Sequence, residues 1–258
     1  MAIVSKSQAY LCSPPSLNNW LNYHFNALAV KQRKYPENIP VFINNFNQLA
    51  NLKKLVSWFQ KRGFKNIIIL DNNSDYPPLI EWYKKEVCKV IFLNKNLGHR
   101  AFWIAKDVRE KYIKGYFILT DPDILPADEC PGDFITKFIG LLYHNPHVTK
   151  VGFAIKIDDI PDSYSQKQKV LDWENKFWNN AIDTHIHLAY VDTTFALYRP
   201  NHHYKHYKFF DAIRVSGKYT CEHTSWYWDY KNLTEEQQYY TSTAGLFSEW
   251  TLRDSKTD

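Results

Sequence analysis

The most constraining feature of the sequence is a regular alternation of short apolar runs and amphipathic segments across the region 41–120. The apolar runs are short and rich in β-branched and aromatic residues, so they predict buried strands, at 41–43, 66–70, 90–93 and 116–120. Between them, apolar residues recur at helical spacing and predict helices at 49–59, from Pro77 onward and at 100–110. Continuously apolar strands that alternate with helices are typical of a parallel sheet covered on both faces. The sequence therefore predicts an α/β fold.

The rest of the chain is less regular. The first forty residues lack strong periodicity, and the last sixty are aromatic-rich and irregular. In between, the pattern predicts a helix at 134–143, a strand at 150–157, a helix at 166–178 and strand-like pieces within 187–197. The sequence contains neither a linker nor an internal repeat, so we expect a single mixed unit over 1–258.

Composition and charge exclude several classes of protein. There is no apolar run near 18 residues, which argues against a transmembrane helix, and the first residues lack the apolar core of a signal peptide. The four cysteines form no CxxC pair, which favours reduced thiols over a zinc site or a disulfide framework. The net charge of +5 suits an anionic ligand or an anionic membrane surface but falls short of a nucleic-acid interface. We therefore expect a cytoplasmic protein with room for peripheral membrane contact and no nucleic-acid partner.

Polar residues follow each predicted strand and mark the candidate site. They are Asn44, Asp71, the segment 94–100 and the segment 121–123. In parallel sheets, ligands lie beyond the carboxyl ends of the strands. Asp121 and Asp123 end the fourth strand as an Asp-Pro-Asp element, and two such carboxylates can hold Mn²⁺ or Mg²⁺ against a diphosphate. The alternative is a simple turn after a strand.

Four segments of the region 39–126 carry a family resemblance: IPVFINNFNQLANLKKLVSWF, IIILDNNSDYPPLIEWY, NKNLGHRAFW and YFILTDPDILP. They are similar to the nucleotide-sugar half of the GT-A glycosyltransferases, and nearest to the family-2-like inverting enzymes. The resemblance implies a Rossmann-like, mixed and mainly parallel sheet. It also implies a donor-binding half at about 39–126 and an acceptor-binding half at about 127–258.

The resemblance also implies roles for individual residues. Asp71 would recognise the base and ribose of the donor, with Asn44 as a further contact to the base. Asp121 and Asp123 would bind the metal and the nucleoside diphosphate, and Arg100 would face the nucleotide. Two alternatives stay open: Asp71 as an Asx turn, and Arg100 as a helix cap or a surface ion pair.

The second half offers candidates for the acceptor side. Asp192 lies between apolar runs, where a carboxylate is costly unless it has a purpose, and we expect it to be the general base of an inverting transfer. Its rival is Asp159, which follows a strand and either lines the acceptor groove or forms a turn before Pro161. The family resemblance adds His223 as a metal or diphosphate ligand, although an ordinary loop histidine is the alternative.

Beside His223, the aromatic residues Trp226 and Tyr227 are candidates for the acceptor wall, since sugar faces lie against such rings; core filling is the alternative.

Together these features predict a metal-dependent inverting glycosyltransferase. It would move a sugar from a nucleotide-sugar donor, expected to be UDP-linked, to a glycan or lipid-linked saccharide. Two other functions remain open. A sugar-phosphate nucleotidyltransferase would carry a Gly-rich loop where this chain reads INNFNQ, and a non-catalytic carbohydrate-binding domain would not need acids at the strand ends.

Overall fold

A computed structural model describes residues 16–191, 194–202 and 211–244 of the chain. Ten strands in this part form one sheet. They are β1 Val41–Asn45, β2 Ile67–Asp71, β3 Lys89–Phe92, β4 Phe117–Thr120, β5 Ile124–Pro126, β6 Lys150–Ile155, β7 Ala181–Asp183, β8 Ile186–Leu188, β9 Ala196–Tyr198 and β10 Ala212–His223. The α-helices of the described part are α1 Leu17–Phe25, α2 Ala27–Lys34, α3 Ala50–Lys61, α4 Pro77–Tyr83, α5 Ala101–Ile104, α6 Lys106–Tyr112, α7 Phe134–His144, α8 Lys167–Trp178 and α9 Glu235–Thr243.

The strand order is β3-β2-β1-β4-β9-β6-β10-β8-β7, with β5 paired to β10. Strands β3, β2, β1 and β4 run parallel, as do β6 and β10, whereas β9 pairs antiparallel with both β4 and β6. The prediction of a mixed α/β sheet flanked by helices is confirmed. Because β9 lies between β4 and β6, strands from both predicted halves of the chain belong to the same sheet.

The apolar strands are continuous because each of their faces contacts a different layer. Phe42 on β1 packs with Phe102 and Phe117 on one face of the sheet. Val41 and Ile43 belong to the larger core on the other face, which also contains the buried side of α3. Successive side chains of a strand alternate between faces, so a strand covered on both sides has apolar residues at every position. The helix α3 ends at Lys61, and Gly63 just beyond it has a φ of +83°, the left-handed conformation of a helix cap.

The predicted helix at 100–110 is wrong in detail. It is divided into a 3-10 turn at Gly98–Arg100, the single turn α5 and the helix α6, with Ala105 in a non-helical conformation between the two helices. The guanidinium of Arg109 donates to the carbonyl oxygen of Trp103 over 2.6 Å, which satisfies a carbonyl at the end of α5. This break holds Gly98 and Arg100 in a separate turn beside the strand ends.

The two helices α1 and α2 were not predicted from the sequence. Helix α1 has apolar residues at helical spacing, but none of its residues is buried, and Leu17, Trp20, Leu21 and Phe25 are exposed. It begins at a cap in which Ser16 Oγ accepts from the backbone N–H of Asn19. Helix α2 is attached to the sheet by a polar contact instead. The side chain of Gln32 pairs with both the backbone N–H and the carbonyl of Tyr116, over 2.7 and 2.8 Å.

The irregular C-terminal region was also predicted wrongly, because β10 is a twelve-residue strand. Its alternation is hidden in the sequence, since two of its buried residues are polar. Arg214 forms an ion pair with Glu174, and Ser216 bonds to His187. A shift in register follows at Gly217, whose φ is +69°. The second part of β10 then continues to His223 and approaches the ends of the parallel strands.

Candidate functional site

Polar groups from the end of β1 and from two other segments meet at the carboxyl ends of the parallel strands, as the sequence predicted. The amide nitrogen of Asn44 lies 3.3 Å from Oδ1 of Asp121 and 3.2 Å from the carbonyl oxygen of Gly98. These three residues are far apart in sequence, and they meet because β1 lies between β2 and β4 in parallel register. We refer to this group, together with Asn72, Asp123 and His223, as the strand-end site.

Asn72 is a member of this site that the sequence analysis did not select. Its amide nitrogen donates to Oδ1 of Asn44 and, over 3.3 Å, to the carbonyl oxygen of Gly98, and its Oδ1 accepts from the backbone N–H of Leu97 over 3.2 Å. It therefore fastens the segment that carries Arg100 to the strand ends. Its position directly after Asp71 could have indicated a role in the site, but an asparagine in a polar loop has no distinctive chemistry.

Asp71 is completely buried, and both of its carboxylate oxygens have partners. Oδ1 accepts from the backbone N–H of Ser74 over 2.8 Å, and Oδ2 accepts from the hydroxyl of Tyr83 over 2.8 Å. Burial, together with the charge of Asp71, raises the pKa of Tyr83, so the hydroxyl keeps its proton for this bond. These contacts favour the alternative kept open above, a turn residue that shapes the strand end. A direct contact between Asp71 and a nucleoside stays a prediction.

Asp123 and His223 lie side by side. Strands β5 and β10 pair so that Ile124 is opposite His223, and the backbone N–H of Thr224 donates to the carbonyl oxygen of Asp123 over 2.8 Å. This pairing places Nδ1 of His223 3.7 Å from Oδ2 of Asp123. Both side chains are mostly buried, at 13% exposure each. The structure thus joins the Asp-Pro-Asp element to a histidine from the far end of the chain.

The imidazole of His223 is held on two further sides. Its Nδ1 lies 2.7 Å from Oγ of Ser225, and its ring stacks on the indole of Trp226 with centroids 4.6 Å apart and planes 5° apart. Trp226 itself is only 1% exposed. That burial argues against the prediction that Trp226 is part of an acceptor wall, because its face is covered by the imidazole. The ring orients His223 instead.

The donor atoms at this edge suit a divalent cation in chemistry, although a complete ligand set is not assembled. Adjacent ligands about 2.1 Å from an octahedral Mg²⁺ are about 3 Å apart, which is shorter than the 3.7 Å observed between Asp123 and His223. Asp121 adds a further carboxylate, one oxygen of which faces the Asn44 amide. Across residues 16–191, 194–202 and 211–244, no group of three or more His, Cys, Asp or Glu side chains lies close enough to hold a metal ion. Asp121, Asp123 and His223 therefore do not form a complete cation site by themselves, and a cation bound there would need further ligands such as phosphate oxygens.

Arg100 lies on the surface at the end of the Gly98–Arg100 turn. The carbonyl oxygen of Gly98 accepts from both Asn44 and Asn72, which fixes this turn next to the strand-end site. The Nε of Arg100 donates to the ring of His99 over 3.3 Å. Arg100 occupies the N-cap position of α5, but its side chain makes no cap hydrogen bond and, in the described part of the chain, no ion pair.

The predicted acceptor residues Asp159 and Tyr227 contact one another. The hydroxyl of Tyr227 donates to Oδ1 of Asp159 over 2.6 Å, and Nζ of Lys156 lies 2.5 Å from Oδ2. Partial burial raises the pKa of Asp159, but the bonds from Lys156 and Tyr227 outweigh it and leave that pKa below its usual value. Asp159 is therefore an ionised carboxylate at the surface near His223. Asp192, the predicted general base, lies outside the described residues.

Helix α9 makes polar contacts with Asn47, Leu49 and Ala50, which follow β1. The carboxylate of Glu236 accepts from the backbone N–H groups of Leu49 and Ala50, over 2.8 and 2.9 Å, and so caps α3 from a distant part of the chain. The amide nitrogen of Asn47 donates to Asp75 over 2.9 Å and to Thr243 over 3.1 Å. These contacts connect α9 to the loops that follow β1 and β2.

Comparison of the sequence with models of known protein families found no match, and comparison with curated protein sequences found none either. Within the described ranges, every helix is too short or too polar to cross a membrane.

Proposed function

We propose that the protein is a metal-dependent inverting glycosyltransferase that uses a nucleotide-sugar donor. The observation that carries the proposal is the pairing of Asp123 with His223 at the carboxyl ends of the parallel strands, with Asp121, two positions before Asp123, facing the Asn44 amide. This is the edge at which open α/β sheets bind ligands. A core-stabilising role does not account for a carboxylate and an imidazole that lie side by side at the strand ends, two positions after a second carboxylate.

The donor would bind with its diphosphate against this group. Asp121, Asp123 and His223 are the residues that would hold Mn²⁺ or Mg²⁺, and the cation would neutralise charge on the departing diphosphate. Arg100 is exposed on an anchored turn beside the same edge, where its guanidinium can pair with a phosphate. Asn44 and Asn72 hold that turn in place. In this proposal Asp71 does not contact the donor. Its bonds to Ser74 and Tyr83 hold the backbone at the end of β2 in the conformation that the donor site needs.

The acceptor hydroxyl attacks the anomeric carbon of the donor sugar from the face opposite the diphosphate. A carbon–oxygen bond forms to the acceptor, the bond to the phosphate oxygen breaks, and the hydroxyl proton passes to a carboxylate base. We assign that base to Asp192. Asp159 is ionised and lies beside Tyr227, which suits hydrogen bonding to acceptor hydroxyls. The acceptor is a glycan or a lipid-linked saccharide, and the net charge of +5 favours approach to an anionic membrane in the second case.

Thermal unfolding with nucleotides tests the donor site. The protein is heated with UDP, GDP, CMP, dTDP or ADP, each with and without Mn²⁺. A ligand at 100 times its Kd stabilises the fold by about 2.7 kcal/mol, which raises the Tm by a few degrees in a protein of this size. We expect one nucleotide to act, and only with the metal. Asp123→Asn should abolish the shift, whereas Asp107→Asn, the same change on the exposed surface of α6, should preserve it.

No shift with any nucleotide would overturn the proposal and favour a carbohydrate-binding domain. If Asp123→Asn kept a full metal-dependent shift, the assignment of the site would be wrong. Once a donor is known, turnover by Asp192→Asn tests the stereochemistry. Loss of a general base lowers kcat by about 10²–10⁴-fold, whereas a retaining enzyme would keep most of its activity.

A further inference from the structure

A cavity of about 230 Å³ lies where β4 begins, at the end of the strands opposite to the strand-end site. Tyr116, which lines it, precedes β4, and Asp121 follows that strand. At about 3.3 Å per residue, Tyr116 and Asp121 are about 17 Å apart, so the cavity is separate from the proposed donor site. Its volume equals that of about eight water molecules in the liquid, which is enough for a small ligand.

The charged side chains around this cavity are positive. Arg199 lines it, and the guanidinium of Arg33 stacks on Tyr23, another lining residue, 3.5 Å from the ring centre. Among the described residues, no Asp or Glu lines the cavity, and neither arginine has a carboxylate within 4.0 Å. Burial raises the pKa of Tyr116 to about 12, although Arg33 and Arg199 oppose the rise. The cavity therefore has positive charge and no negative counterpart.

Arg199 is held in place by backbone groups only. Its Nε donates to the carbonyl oxygen of Val148 over 2.6 Å, and one terminal nitrogen donates to that of Asn145. A guanidinium has five N–H groups, so three of them have no acceptor among the described residues. Burial lowers the pKa of Arg199 to about 10, which still leaves it charged at neutral pH. Arg199 is half-buried, and a partly desolvated cation without a counter-ion is destabilising, so a bound anion would offset that cost.

A second group in the lining also lacks an acceptor. The amide nitrogen of Asn19 is buried, and nothing in the described part of the chain accepts a hydrogen bond from it. Buried donors without partners are rare in native proteins and call for an explanation. Asn19 and Arg199 come from α1 and from the end of β9, so two separate parts of the chain bring unsatisfied donors to one cavity.

We propose that this cavity binds the phosphate group of a small molecule. Phosphate offers the acceptor oxygens that Arg199 and Asn19 lack, and it supplies the negative charge that the lining lacks. A guanidinium can donate two parallel hydrogen bonds to it. The neutral Asn and Tyr side chains around the arginine leave room for a polar remainder of the ligand. The site is additional to the proposed donor site and does not depend on it.

Titration calorimetry of the whole chain tests this proposal, at constant ionic strength set with chloride. The probes are inorganic phosphate, glucose 6-phosphate, acetate and glucose. We expect phosphate and glucose 6-phosphate to bind, and glucose to show no binding. Tighter binding of glucose 6-phosphate would identify a phosphorylated metabolite as the ligand class, and equal binding would identify free phosphate. Binding of acetate as tight as that of phosphate would overturn the choice of phosphate.

Two substitutions locate the site. Arg199→Gln removes the charge, and Asn19→Asp places a carboxylate in the lining without a change of shape. Each should raise the Kd for phosphate by about tenfold or more. The matched controls are Arg109→Gln and Asn175→Asp, which lie outside the cavity lining and should leave the Kd unchanged. Asn19→Asp adds an acid to the first turn of α1, where it suits the helix, so this variant should fold even if Arg199→Gln does not.

The proposal is overturned if the unaltered protein binds neither phosphate nor glucose 6-phosphate, or if Asn19→Asp binds phosphate as well as the unaltered protein. Nucleotide-dependent stabilisation provides an independent readout. Asn19→Asp should leave it unchanged, because the two sites lie at opposite ends of the strands.

Discussion

Nδ1 of His223 lies 3.7 Å from Oδ2 of Asp123, although the two residues are a hundred positions apart in the chain. The antiparallel pairing of β5 with the end of β10 creates this relationship. Without this strand pairing the two side chains would not be in contact. The parallel half of the sheet supplies Asp123, and the mixed half supplies His223, so the site depends on the whole sheet being formed.

Because the two side chains are adjacent, we expect their contributions to nucleotide binding with metal to be coupled. Asp123→Asn and His223→Gln should each weaken binding, and the double variant should lose less than the sum of the two effects. Groups in contact show coupling energies of about 0.5–3 kcal/mol. Calorimetric titration with the active nucleotide and Mn²⁺ measures the cycle, with His144→Gln on α7 as the control. Strictly additive effects would mean that the two residues act separately.

Tyr83→Phe separates a structural role of Asp71 from a direct one. The variant removes a hydroxyl that donates to Asp71 and accepts from Asn45 over 2.9 Å, so a buried carboxylate oxygen loses its partner. The expected cost is about 1–3 kcal/mol of unfolding free energy, measured with urea, with little change in nucleotide affinity. Tyr112→Phe, which removes a half-buried hydroxyl elsewhere, should cost less. A large loss of affinity in a stable Tyr83→Phe protein would show that Asp71 contacts the donor.

The parallel half of the fold could be predicted from the sequence because its strands obey simple rules. The segment containing Ile67–Asp71 is apolar and β-branched, both of its faces are covered, and a polar turn follows it. The convergence of Asn44 and Asp121 then follows from parallel pairing alone. Nothing more than the order of strands was needed for that part of the site.

The remaining features depend on long-range polar contacts, which leave no periodic signal. The strand β10 could not be recognised from the sequence because Arg214 and Ser216 are buried. A polar residue is predicted to be exposed unless its buried partner is known. The burial of Trp226 could not be foreseen either, because an indole in a polar loop fits a binding surface as well as a core. Asn72 has its role through Asn44, on β1, and through the backbone of Leu97 and Gly98, and these partners are distant in sequence.

The cap that Glu236 provides to α3 should make a measurable contribution to stability. Leu49, at the start of α3, has no side chain that can cap, and Glu236 accepts from the first free N–H groups instead. Glu236→Gln should cost about 1 kcal/mol, measured by urea unfolding, because a charged cap at a helix N-terminus is lost. Glu235→Gln removes the same charge from the same turn of α9 without touching α3. Equal losses in the two variants would contradict a specific cap.

Buried His187 should make the fold less stable in mild acid. Burial lowers the pKa of His187, and the hydrogen bond to the Trp178 carbonyl opposes that shift only in part. The unfolded chain therefore takes up the proton first, and stability is lost as the pH falls from about 6.5, the unfolded value, through the lower folded value. The Tm of the unaltered protein should fall between pH 7.5 and 5.0 by more than that of His187→Gln. Parallel curves for the two proteins would show that His187 does not contribute.

The ion pair of Glu174 and Arg214 gives the sharpest test of how β10 is held. The two side chains are 4% and 3% exposed, and Arg214 also donates to the carbonyl oxygen of Tyr190 over 2.6 Å. Glu174→Leu leaves a buried guanidinium without its counter-ion and should cost about 3–5 kcal/mol of unfolding free energy. Adding Arg214→Met should restore much of that loss, because two apolar side chains replace the pair in a dry site. If the double variant were as unstable as the sum of the single ones, the pair would stabilise the strand beyond the cost of an unpaired charge.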